Sequence, residues 1–166
     1  MYDEIAAWFA GRLPAEWSAA GHTVTVDREE ILVEVSIPAP DASQDDRSVA
    51  SGRIARFREE TRDQRIRIAQ EAEQRFGRKV SWGARCGEEH AAFTSVSMPV
   101  MTRLRQAERL VLDTLVDAGV ARSRSDALGW CVRLVGQHSN AWLGELREAM
   151  REVQRLREAG PGVATG

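Results

Sequence analysis

The sequence predicts an α+β chain: an N-terminal α-β-β-α-β-β domain with an antiparallel sheet, then a strand-helix-helix unit and one further C-terminal helix. Three observations carry the prediction. Short runs with period-two alternation occur at His22–Asp27, Glu30–Ile37, Lys79–Arg85 and Ala91–Val96. Apolar residues at helical spacing fill most of what lies between and after them. Finally, an alternating run at 96–104 leads straight into two helical patterns separated by Gly119.

Asp3 to Leu13 spaces Ile5, Ala6, Trp8, Phe9 and Leu13 as one helix face, and Pro14 lies just beyond. Two strands follow, joined as a hairpin by Asp27-Arg28-Glu29. Pro38 to Asp46 is rich in Pro, Ser and Asp and reads as a loop. One long helix is expected from near Arg47 to Arg75, with Ile54, Phe57, Ile68, Ala72 and Phe76 as its buried stripe and Gly77 as its end. The third and fourth strands then form a hairpin around Gly87-Glu88-Glu89.

Val96-Ser97-Met98-Pro99-Val100-Met101-Thr102-Arg103-Leu104 places Val96, Met98, Val100 and Leu104 on one face. Its other face carries Ser97, Pro99, Met101 and Arg103. From about Gln106 the period becomes helical, with Leu112, Leu115 and Val116, and Gly119 stands where a left-handed residue would stop the helix. Ser123-Arg124-Ser125-Asp126 reads as an N-cap with an acid three residues on. It opens a helix through Ala127, Leu128, Cys131, Leu134 and Val135. Ser139 or Asn140 caps a last helix, striped by Trp142, Leu143, Leu146, Met150, Val153 and Leu156, and Gly160-Pro161 stops it. The expected divisions are 1–95, 96–138, 139–160 and a frayed tail at 161–166.

From Val100 to Val135 this pattern resembles the ribbon-helix-helix DNA-binding family. The resemblance rests on Thr102-Arg103-Leu104, Leu112-Asp113-Thr114-Leu115-Val116-Asp117-Ala118-Gly119 and Ser123-Arg124-Ser125-Asp126-Ala127-Leu128. It implies that the strand pairs with its copy from a second subunit and that the ribbon enters the major groove. It also implies that the start of the second helix holds a backbone phosphate. On that parity Pro99, Met101 and Arg103 would point at base edges, and an Arg suits guanine O6 and N7. Family members usually show more polar side chains there than Pro99 and Met101 provide.

The phosphate contacts expected are Arg122, Ser123, Arg124 and Ser125, with Arg105 reaching the same backbone from the first helix. Unpaired N–H groups and the helix dipole favour an anion at such a terminus. The plainer alternative is an ordinary Ser N-cap between two solvated arginines. The reading implied is a homodimeric, or higher even-numbered, regulator of double-stranded DNA. Residues 1–95 would then add sensing, partner binding or assembly. Its rival keeps the fold for dimerisation and uses the acidic N-terminal domain to grip a protein.

Composition restricts other classes. At 166 residues with 43% hydrophobic and 29% charged content, the chain is globular in type. No apolar run has the length of a membrane span and the amphipathic start is no signal peptide, so a cytoplasmic protein is expected. Lys79 is the only lysine among 23 basic residues, a codon habit of a GC-rich genome, and a bacterial source is expected. The net charge of -2 hides a gradient, because residues 1–50 are acidic and 51–105 basic. Two cysteines without metal-type spacing, and three scattered histidines, predict no metal, no cofactor and no enzymatic activity. Cys86, Glu88, Glu89 and His90 form the one dense polar cluster, read as a hairpin turn. Arg53, Arg56, Arg58, Arg62, Arg65 and Arg67 alternate with acids on the long helix and read as a solvated, ion-paired surface.

Overall fold

Two hairpins joined by a helical crossover build the first half of the chain. The computed structural model describes residues 2–39 and 46–160. In order come α1 (Tyr2–Arg12), α2 (Ala15–Ser18), β1 (His22–Val26), β2 (Glu30–Ile37), α3 (Asp46–Glu60), α4 (Arg62–Phe76), β3 (Lys79–Cys86) and β4 (Glu89–Ala92). After them lie α5 (Gln106–Asp117), α6 (Arg124–His138) and α7 (Asn140–Ala159). The chain divides into two compact units, Met1–Val100 and Met101–Gly166. The expected loop and tail lie partly (38–46) and wholly (161–166) outside the described residues.

The sheet runs in the order β1-β2-β3-β4 and is mixed. β1 with β2 and β3 with β4 are antiparallel, but β2 pairs with β3 in parallel, from Glu30 opposite Lys79 to Ile37 opposite Cys86. This corrects the wholly antiparallel sheet expected from the sequence. Two helices intervene between β2 and β3, and a crossover of that length returns the chain in its original direction. The Asp27 carboxylate sets the first hairpin by accepting from the backbone N–H groups of Glu29 and Glu30 at 2.8 and 2.7 Å. Gly87 closes the second at φ 61°.

One sheet face carries the core. Ile31, Val33, Val35, Val80 and Trp82 are buried against Ile5, Phe9, Leu13, Trp17, Ile68 and Ala72 from the helices. Further along the same face, Ala84 and Cys86 pack on Ala50 and Ile54. Edge-to-face ring contacts link Phe9 and Trp17 to Trp82.

The single long helix expected over 47–75 is two helices. Thr61 breaks it: the Thr61 hydroxyl donates to the Phe57 carbonyl at 2.5 Å, back-bonding that bends a helix. α4 then ends at Gly77 as expected, in the left-handed conformation with φ 67°. The fourth strand is Glu89–Ala92 rather than Ala91–Val96. It stops because the Trp82 N–H turns to the Thr94 hydroxyl at 3.0 Å, and Thr94 begins an irregular stretch up to Arg105.

In the second unit α5 ends in a Schellman motif. The N–H of Val120 donates to the Leu115 carbonyl at 2.9 Å, that of Gly119 to Val116 at 3.0 Å, and Gly119 has φ 74°. Among the described residues of this unit Leu112, Ala121 and Ala127 are buried, with Leu104, Leu115, Val116, Leu128 and Cys131 packed partly around them. α7 buries no residue at all.

Candidate nucleic-acid interface

The predicted base-reading residues lie on the irregular stretch before α5. Pro99, Met101 and Arg103 are all exposed, Met101 to 98%. Val100, expected on the covered underside, is 84% exposed, and Met98 is exposed as well. Leu104 alone among the predicted underside residues packs on the α5–α6 cluster. In a single chain the stretch forms no strand, since a strand needs a neighbour to take its backbone N–H and C=O groups.

Arg105 precedes α5, and its backbone N–H donates to the Glu108 carboxylate at 2.6 Å. The start of α6 is built as its cap residues imply. Ser123, at φ -158° and ψ 165°, accepts from the Asp126 N–H at 3.2 Å through its hydroxyl. Asp126 in turn accepts from the Arg122 N–H at 3.0 Å, which fixes the turn leading into the helix. The Arg122 side chain is 97% exposed, and Ser125 is exposed beside it.

Arg124 is placed differently. Its guanidinium donates to both oxygens of Asp113 on α5, at 2.6 and 2.8 Å. This two-pronged contact raises the Arg124 pKa and lowers that of Asp113, hydrogen bonding being the larger cause and charge attraction adding to it. A phosphate at this terminus must therefore share or displace Asp113. Sequence reading missed the pair because the residues meet only when α6 folds back on α5. Arg122 and Ser125 are thus exposed at this terminus, the Arg122 guanidinium 4.0 Å from Asp126, while the Arg124 guanidinium is engaged by Asp113.

Elsewhere the cluster around Cys86 is a hairpin end. Cys86 is buried with its thiol against the Pro38 carbonyl at 3.5 Å, and Glu89 pairs with Arg47. Cys86 and Cys131 are both free thiols. Among the described residues no group of three or more metal-ligating side chains converges, and no helix is long and apolar enough to cross a membrane.

Comparison with known proteins divides the chain much as its two units do. Residues 3–92 match the family model for the Rv1265-like protein N-terminal domain, and residues 105–157 match that for the Mb1296 C-terminal domain. Uncharacterized protein Mb1296 of Mycobacterium bovis is 57% identical over 157 residues, covering 94% of this chain and 70% of the relative. Uncharacterized protein Rv1265 of Mycobacterium tuberculosis matches with the same identity and coverage. No solved structure matches. With more than half its length under one family model and mycobacterial relatives this similar, the chain belongs to the Rv1265-like family.

Proposed function

We propose that this protein is a homodimeric, cytoplasmic DNA-binding regulator in which residues 96–138 act as a ribbon-helix-helix unit. The observation that carries the reading is the bare apolar surface of the second unit. Leu110, Val111, Val132 and Val135 are exposed, as are Trp142, Leu146, Met150 and Leu156 on α7, while among the described residues the buried core is Leu112, Ala121 and Ala127. So small a core cannot stabilise about 60 residues in isolation, and a second copy is the partner that a repeated fold always has available. Pairing the 96–104 stretches of two copies would give each the strand neighbour it lacks and bring two copies of Arg103 to one ribbon.

In this reading Arg103 reads bases, with Pro99 and Met101 shaping the fit. Arg105, Arg122, Ser123, Arg124 and Ser125 hold phosphate. The Ser123-capped terminus, with the exposed Arg122 guanidinium 4.0 Å from Asp126, supports the phosphate role. Fluorescence anisotropy on short duplexes across a salt series tests it: binding through several phosphates must weaken steeply as salt rises. A folded dimer that binds neither a random duplex nor its own promoter region at low salt would end the DNA role.

Two details favour a second reading, in which the same unit only dimerises and a protein is the partner. Arg124 is already neutralised by Asp113, and the side chains of the outer residues Pro99 and Met101 offer no hydrogen-bond donor to a base edge. A partner held by apolar anchors would respond little to salt, so the same series separates the two.

A further inference from the structure

Helices α3 and α4 line a cavity of about 660 Å³ in the N-terminal unit. Arg58 near the end of α3, Arg62 at the start of α4 and Arg65 one turn on all reach it, four and three residues apart and so on one helical face. Phe93, just beyond β4, lines the same cavity, together with the aliphatic Ile54 and Ile66. The fold sets this arginine face against Phe93 from a distant part of the chain, so the three line a concave surface.

Arg65 is the unusual member. It is only 6% exposed, yet among the described residues no carboxylate lies within ion-pairing distance of it. Its guanidinium donates to the Thr61 hydroxyl at 3.0 Å and to the Arg58 carbonyl at 2.6 Å. It also lies 4.8 Å from the Phe93 ring centre, and the Arg58 guanidinium lies 5.8 Å from that ring. Neutral acceptors and a ring face orient the charge without cancelling it. Burial lowers the Arg65 pKa, and the neighbouring charges of Arg58 and Arg62 push the same way. Holding a buried cation next to two others is unfavourable unless an anion joins them.

We propose that this cavity binds a small organic anion, its carboxylate or phosphate head held by Arg58, Arg62 and Arg65 and its apolar body laid against Phe93, Ile54 and Ile66. The volume falls in the range of small-molecule sites, and the lining has their composition: apolar walls with a few convergent polar groups. Guanidinium groups suit both head groups because their paired N–H donors match two oxygens at once. A nucleic-acid strand fits less well. Glu59 lines the cavity, and Glu60 and Asp63 are exposed alongside, so a polyanion running past would meet three carboxylates. A single head group would face only Glu59 in the lining and Asp63, whose carboxylate stands 3.9 Å from the Arg62 guanidinium, at a pocket where three arginines converge. All these residues belong to the N-terminal unit, so the site stands whether or not the other unit binds DNA.

The test is a backbone-amide NMR titration of the full chain with phenyl phosphate, benzoate and neutral benzamide. Saturable shifts at Ala91, Phe93 and Thr94 are expected for at least one anion, with a dissociation constant of about 1 mM or tighter and benzamide at least about tenfold weaker. The tighter of the two anions identifies the head group. The double variant Arg58→Gln, Arg62→Gln keeps the buried Arg65 and the fold, and should weaken the anion about tenfold at unchanged melting temperature. Arg65→Met should abolish binding, and if it fails to fold the double variant still decides. Three results would each overturn the assignment: no saturation by about 20 mM, benzamide bound as well as the anions, or full affinity in the double variant. Shifts at the same amides produced by a short duplex and by none of the three small molecules would overturn it too, in favour of nucleic acid.

Discussion

Arg124 on α6 clasps Asp113 on α5 through two contacts of 2.6 and 2.8 Å, so this proposed phosphate contact is already engaged within its own chain. The pair joins the two helices whose N-terminal donors and apolar faces make up the proposed interface. Asp113→Asn should release Arg124, raise affinity for random-sequence duplex and steepen the dependence on salt by about one unit of slope. Anisotropy at several salt concentrations measures both. Unchanged affinity and slope would mean that Arg124 serves only to hold the helices together.

Base reading and phosphate holding separate by substitution. Arg103→Ala should relax sequence preference by about 1–3 kcal/mol while leaving random-duplex binding almost intact. Arg122→Ala should weaken binding to every sequence alike and reduce the salt slope by about one. If Arg103→Ala lowered affinity for all duplexes equally, Arg103 would be a phosphate contact and the ribbon would not be reading bases.

The stripe on α7 predicts an assembly. Trp142, Leu146 and Met150 are exposed in one chain, and covering a side chain of that size yields about 1.5–3 kcal/mol. Leu146→Glu combined with Met150→Glu should therefore shift the light-scattering mass from a dimer toward the 18.5 kDa of a single chain and expose the second unit to protease. A variant that stays dimeric and protease-resistant would show that α7 is not part of the subunit contact.

Acid should act through two surface pairs. Arg124 holds Asp113 below its ordinary 3.8, and Arg12 holds Glu71 below its ordinary 4.5, hydrogen bonding being the first cause in each. A carboxylate whose pKa is depressed by folding contributes stability that is whole above its ordinary value and lost as pH falls through the depressed one. The urea midpoint should then drop as the pH falls below about 4, and less steeply in Asp113→Asn or Glu71→Gln. Both pairs are exposed, so the difference between wild type and variant will be modest. Parallel curves would show that neither pair carries the acid response.

Gly119 offers a local check. Its φ of 74° is costly for any residue with a Cβ, while nothing lies within 4 Å of where that atom would sit. Gly119→Ala should thus cost about 1–2 kcal/mol through backbone strain alone, read from urea denaturation. A neutral result would mean that the Schellman turn relaxes to another closure.

The sequence by itself determined the features that depend on neighbours along the chain. Gly77 and Gly119 end helices, Ser123 caps one and Asp27 turns a hairpin, because each acts on backbone groups within about five residues. The α+β class was legible for the same reason, since strand and helix periods differ locally. What the tertiary structure decided are relations across long separations. Alternation marks Glu30–Ile37 and Lys79–Cys86 as strands but is the same for either direction of pairing, and only the crossover makes them parallel. Of the candidate site, the placement of Ser123 and the exposure of Arg122 followed from local signals. The capture of Arg124 by Asp113 and the gathering of Arg58, Arg62 and Arg65 around Phe93 did not, because a charge written in the sequence acquires its partner, or goes without one, only when distant segments pack together.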